Sequence, residues 1–333
     1  MNKKIIAFIL SVFYIFSVLN VFADSLDASG EKAADLYDNL SVIHAINPDY
    51  TLPEEAEHFS RIEFVKLLVD VMQKQTDEKC ETGFSDIEPD SPYAQSLAFA
   101  KDLGIISEAP LFYPDESVTY TQAIKMAVTA AGYKPLADAK GAYPVGYLTI
   151  ASSLELTEGL SSSGDNPLTI SDGLKLITNL FDTLVFVQTG FGSDYVYDTV
   201  EGKTFLNYYH SIETIYGIVY ANEYTSLTNA SLHLADGHIK IGTKDYKTNG
   251  DFNNFLGCNV KAYVNNADTV LYIEKYEVTE IILNTADIGR VDGFDLIIYD
   301  GIKEKKYTLD DTFNYIRNGK ATAITDSDFY SVF

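Results

Sequence analysis

The chain has 333 residues, 24 Lys+Arg against 48 Asp+Glu, and a formal net charge of −24. That length allows two domains of ordinary size, each with its own core, and so acidic a surface repels nucleic acid and anionic lipid, so neither is an expected partner. Two cysteines, Cys80 in a polar stretch and Cys258 in a strand-like run, are too few for a disulfide framework. The chain opens Met1-Asn2-Lys3-Lys4, continues with an apolar run from Ile5 to Phe22 and then reads Ala23-Asp24. A basic tip, a hydrophobic stretch and a small residue describe a secretory signal, residues 1–23, cleaved after Ala23. The same run is long enough for an uncleaved anchor, since about 17–25 apolar residues can span.

Three helical units follow. In the first, Ala34, Leu36 and Leu40-Ser41-Val42-Ile43 precede Phe59-Ser60-Arg61-Ile62-Glu63-Phe64. The central unit is the clearest. Phe84-Ser85-Asp86-Ile87 leads to Tyr93, Leu97 and Ala100, spaced as one apolar helix face. Gly104 supplies the left-handed stop, Phe112-Tyr113-Pro114-Asp115 turns the chain, and Thr119 and Gln122 have the spacing of a capping box. The third unit runs from Tyr143-Pro144 through Leu154-Glu155-Leu156 to Leu168-Thr169-Ile170-Ser171-Asp172, with Glu155 where the turn glycine stood.

These signals resemble the S-layer homology (SLH) repeat of bacterial surface proteins, which carries Phe-x-Asp-Val/Ile, an aromatic-Ala helix start, Gly-Ile-Ile, Phe-x-Pro-Asp and Thr-Arg-Ala-Glu. The central unit has all but the last. The resemblance covers residues 31–187 as three repeats, about 31–75, 84–133 and 143–187, of the type found in clostridial surface proteins. It implies an all-α, pseudo-threefold helical trefoil whose grooves bind pyruvylated secondary cell-wall polysaccharide attached to peptidoglycan. No cofactor and no metal are implied.

Within the fourth signature two roles separate. The first and fourth residues cap the helix: Ser60/Glu63, Thr119/Gln122 and, less well, Thr169/Asp172. The second residue does nothing for the cap. An arginine there sets a permanently charged planar fork beside free helix amides, which together suit a carboxylate. Only Arg61 fills that place, with Tyr120 and Ile170 in the other copies. Arg61, with Glu63 beside it, and Tyr120 as a ring for a sugar face are therefore the candidate glycan contacts. Ser60, Thr119, Gln122, Thr169, Asp172 and Gly104 are structural.

Residues 188–202, polar and glycine-containing, read as a linker. Beyond them, residues 203–333 hold short Val-, Ile- and Tyr-rich runs, with Asp236-Gly237, Asn265-Asn266 and Asp300-Gly301 as turns. That predicts a small antiparallel β domain, barrel or sandwich, and a multidomain α + β protein. Enzymatic signatures are lacking. The histidines (His44, His58, His210, His233, His238) form no His-Glu-x-x-His pair, no Gly-x-Ser-x-Gly elbow occurs, and Gly190-Phe191-Gly192 lacks the setting of a nucleotide loop.

The expectation is a secreted, non-catalytic surface protein held to an anionic wall polysaccharide, without membrane contact after signal cleavage. The alternatives are a structural envelope or S-layer assembly protein whose degenerate repeats only pack, with self-association through the β domain, and a truncated accessory part of a larger surface enzyme.

Overall fold

The computed structural model describes residues 30–52, 57–72, 81–190, 196–229, 231–277, 288–292, 295–300, 303–308, 315–317 and 320–322. The expected signal segment and Cys80 lie outside the described residues. The structure is mixed α + β and divides into two compact units after Ile212.

The first unit contains α1 (Gly30–Ile46), α2 (Arg61–Asp70), α3 (Ala94–Asp102), α4 (Tyr120–Ala130), α5 (Lys134–Ala139), α6 (Val145–Ser153) and α7 (Ile170–Phe181). Its second helices bury Ile62, Val65 and Val69 on α2, Ile124, Ala127 and Val128 on α4, and Leu174, Ile177 and Phe181 on α7. The pairing of helices is cyclic. α3 packs on α2, α6 packs on α4, and α1 packs on α7, so each leading helix rests on the trailing helix of another pair.

The extended segments that open α2, α4 and α7 close the same circle through their backbones. Val118 N–H donates to Phe59 O at 3.0 Å, Leu168 N–H to Val118 O at 2.9 Å, and Phe59 N–H to Leu168 O at 3.0 Å. All three side chains are fully buried. Apolar residues thus fill the hub while the ring of hydrogen bonds satisfies their amides and carbonyls, which would otherwise be costly to bury.

The turn after α3 puts Gly104 at φ 69°, with Ile105 N–H donating to Ala100 O at 2.8 Å. Glu155 holds the same place after α6 at φ 59°, and Leu156 N–H donates to Ala151 O at 3.0 Å. The turn therefore persists without its glycine, at a cost to a residue that carries a Cβ. Glu155 is exposed. Glu155→Gly is expected to stabilise this unit by about 1 kcal/mol, read as a raised thermal midpoint.

One sequence reading of this unit needs correction. Residues 188–190 and 196–202 are not a plain linker. β1 (Leu184–Gly190) and β2 (Val196–Thr204) form an antiparallel hairpin, followed by α8 (Phe205–His210). Phe186 N–H donates to Ala131 O at 2.8 Å, the Phe186 ring stacks on Tyr133 at 5.0 Å, and His210 Nε2 meets Val71 O at 2.8 Å. These contacts tie residues 184–190 and 196–210 to the helices, and the second compact unit begins at Glu213 rather than at 203.

The second unit holds β3 (Glu213–Ala221), β4 (His238–Ile241), β5 (Lys244–Thr248), β6 (Asn259–Val264) and β7 (Thr269–Lys275), closed into a barrel of order β3-β4-β5-β7-β6. Val219, Ile239, Ile241, Val260, Ala262, Val270 and Ile273 fill it, and Cys258 packs beside them. The pairings are antiparallel except one, since β5 runs parallel to β7; an all-antiparallel domain was expected. The β4–β5 hairpin turns at Gly242, φ 59°, whereas Asp236-Gly237 leads into β4. Residues 231–234 form no strand. Asn265-Asn266 does begin the β6–β7 turn, with Asp268 N–H donating to Asn265 O at 3.0 Å. β8 (Ile288–Asp292), β9 (Asp295–Asp300) and β10 (Lys303–Thr308) make a three-stranded sheet, and β11 (Tyr315–Arg317) pairs with β12 (Lys320–Thr322).

Candidate functional site

The starts of α2, α4 and α7 are where sequence reasoning placed the site. At α2 the Ser60 hydroxyl accepts from Glu63 N at 3.3 Å, and Glu63 Oε2 accepts from Ser60 N at 2.9 Å and Ser60 Oγ at 2.6 Å. At α4 Thr119 Oγ1 accepts from Gln122 N at 3.3 Å, and Gln122 Oε1 accepts from Thr119 N at 3.2 Å. At α7 Thr169 accepts from Asp172 N at 3.1 Å, but the Asp172 carboxylate turns away from the cap to Ser161 and Ser162. A side chain one methylene shorter than glutamate is spent on tying down the preceding loop.

The amides ahead of these caps are not free, which corrects the expected carboxylate cradle. Arg61 N–H donates to Glu116 O at 2.8 Å, Tyr120 N–H to Asn166 O at 2.9 Å, and Ile170 N–H to Glu57 O at 3.1 Å. The next amides go the same way, Ile62 N–H to Pro114 O and Thr121 N–H to Gly164 O, both at 3.1 Å. Each helix start is thus stitched to the loop entering another one.

Arg61 lies in the seam between the first and second pairs. Its Nη1 donates to Phe112 O at 2.7 Å, its Nη2 pairs with Glu116 Oε2 at 3.2 Å, and the guanidinium carbon stands 5.9 Å from the Phe112 ring centroid. Its Nε is buried without a hydrogen-bond partner among the described residues. Asp86 supports the same loop by accepting from Phe112 N at 2.8 Å and Tyr113 N at 2.7 Å. Burial pushes the Asp86 pKa up, but these amides and the Arg61 charge outweigh it and hold the carboxyl below its ordinary value.

Arg61, Glu63 and Tyr120 do not converge. Glu63 serves its own cap, and Tyr120 sits half-buried in the next seam, beside the loop at Gly164–Asn166. Burial, then the Asp172 charge, raise the Tyr120 phenol pKa.

The signature reading also passed over a repeated lysine. Lys66, Lys125 and Lys175 each stand three residues after Glu63, Gln122 and Asp172, a spacing that is legible in the chain. Lys66 pairs with Asp70, and Lys125 Nζ donates to Ser107 Oγ at 2.8 Å. The Lys175 ammonium has no ion-pair or hydrogen-bond partner among the described residues. It lines a polar cavity of about 320 Å³ with Asn39, Glu158, Ser171 and Asn179.

Against known proteins, no family model matches the chain. It is 26% identical over 178 residues to the Middle cell wall protein of Brevibacillus brevis. The chain resembles a cell-wall protein. The match covers 52% of this chain and 16% of that protein, so the chain spans about a sixth of its relative's length. Among the described residues no helix is long and apolar enough to cross a membrane, and no cluster of three or more His, Cys, Asp or Glu is placed to hold a metal ion.

Proposed function

We propose that this is a secreted, non-catalytic cell-surface protein whose helical unit is a trefoil of three SLH-like repeats. That unit would hold the protein without covalent bonds to an anionic secondary cell-wall polysaccharide on peptidoglycan, after an N-terminal signal had exported it. The observation that carries this reading is the cyclic closure of the three helix starts on one another, through Phe59, Val118 and Leu168. The likeness to a cell-wall protein supports a place at the surface.

Arg61 is the carboxylate contact in this reading, by exchange rather than by vacancy. Glu116 is 62% exposed, and an ion pair of that kind is worth about 0–1 kcal/mol. A ligand carboxylate can replace it cheaply, while Phe112 O keeps the guanidinium aimed at the seam. Lys175 offers a second cation in the third seam. In co-sedimentation with purified walls, Glu116→Gln is expected to tighten binding about threefold and Arg61→Ala to weaken it about 10- to 150-fold, the latter matching loss of a charge-assisted pair of about 1.5–3 kcal/mol. Wild-type binding by both variants would remove Arg61 from the site.

A second reading, of repeats that only pack in an envelope assembly, is favoured by the consumed helix amides and the engaged guanidinium. It predicts self-association in sedimentation velocity with no attachment to walls.

A further inference from the structure

The second unit carries a site that the wall-attachment reading does not use. Counting β3 to β7 as first to fifth, the closed order 1-2-3-5-4, with the third and fifth strands parallel, is the Greek-key topology of OB-folds. Such barrels bind oligonucleotides or oligosaccharides across their second and third strands, beside the loop that joins the first two. In this barrel a cavity of about 290 Å³ occupies that place. It opens where the β3–β4 loop meets the start of β4, the end of β5 and the loop after β5.

The lining decides which ligand class fits. Glu223, Tyr224, His238, Asp251 and Asn253 surround the opening, and neither lysine nor arginine is among the described residues that line it. Glu223 Oε2 accepts from Gly237 N at 2.8 Å, and Asp251 Oδ1 accepts from Asn253 Nδ2 at 2.8 Å, so both carboxylates are oriented before any ligand arrives. Tyr224 is 49% exposed and gives the mouth an accessible aromatic ring.

Two fixed carboxylates without a cation repel phosphates and uronates, which excludes the oligonucleotide option and the anionic wall polymer alike. A metal ion is disfavoured as well, since no three-ligand acid or histidine cluster exists among the described residues. What remains complementary is an uncharged polyol. Its hydroxyls donate to carboxylates, and its C–H face lies on a ring that is apolar with one polar tip. We propose that this mouth binds a neutral oligosaccharide, with Tyr224 as the platform and Glu223 and Asp251 as acceptors from sugar hydroxyls. The inference stands on the barrel alone and is independent of Arg61.

The test is saturation-transfer NMR and titration calorimetry on the full chain, with chitotetraose, maltotetraose and cellotetraose as probes and single-stranded DNA and calcium chloride as controls. At least one tetrasaccharide is expected to bind and to receive saturation. Tyr224→Ala should weaken it about tenfold, Tyr224→Phe should keep the ring and stay within about twofold, and Arg61→Ala should change nothing. The assignment is overturned if no tetrasaccharide binds, if Tyr224→Ala binds as the parent does, or if only DNA or calcium binds.

Discussion

Asp172→Ala is expected to lower the stability of the helical unit by about 3 kcal/mol, among the largest effects of any single change in this chain. Asp172 is 3% exposed. Its carboxylate accepts from Ser161 N at 3.0 Å, Ser162 N at 2.7 Å and both serine hydroxyls. Removing it leaves two backbone donors without an acceptor, and they are the donors that anchor the loop before α7. Burial pushes the Asp172 pKa up, but the Ser162 hydroxyl and the Ser161 and Ser162 amides more than offset this, and the folded value lies below the ordinary one. A folded-state pKa below the unfolded one stabilises at neutral pH, and that contribution disappears as pH falls through the folded value. Calorimetry should therefore show the Asp172→Ala gap at pH 7 and a narrowing gap below about pH 4, near the ordinary aspartate value. A pH-independent gap would mean that the carboxylate's charge contributes nothing.

Gly173→Ala should cost about 2–3 kcal/mol, even though alanine is the better helix former by about 1 kcal/mol. A Cβ at Gly173 would fall 2.3 Å from Phe59 Cε2, and Phe59 is fully buried in the hub. The ring is enclosed by the hub, so the clash is passed to the segment whose N–H and C=O join Leu168 and Val118. Two calorimetric transitions would separate the cases. The helical unit's transition should drop and the barrel's should stay; no change in either would show that the hub tolerates an added methyl group.

Local chemistry was readable and cross-chain chemistry was not. Ser60/Glu63 and Thr119/Gln122 close their caps at the spacing seen in the chain, and Gly104 takes the left-handed turn, because each depends on residues a few positions apart. The consumed amides of Arg61, Tyr120 and Ile170 depend on carbonyls of Glu116, Asn166 and Glu57, which are remote in the chain and carry no residue preference. No pattern in side chains could have announced them. The pairing of 184–190 with 196–204 was hidden for a different reason. Its first strand is short and its second is polar and exposed from Val196 to Lys203, so alternation is absent there and the glycines suggest a linker. In the barrel the apolar runs marked β3, β4, β6 and β7, but β5 (Lys244–Thr248) is too polar to show as one and 231–234 form no strand. The parallel β5–β7 contact is a matter of topology, which periodicity does not encode.

In the proposed function, three helical pairs closed in a ring attach this acidic chain to an acidic wall polymer. The most direct measurement is co-sedimentation of the mature protein with purified walls, before and after removal of their secondary polysaccharide. Pelleting with intact walls, its loss with stripped walls, and weaker pelleting of Arg61→Ala are expected. Equal pelleting with both wall preparations, or with neither, would contradict the proposed function.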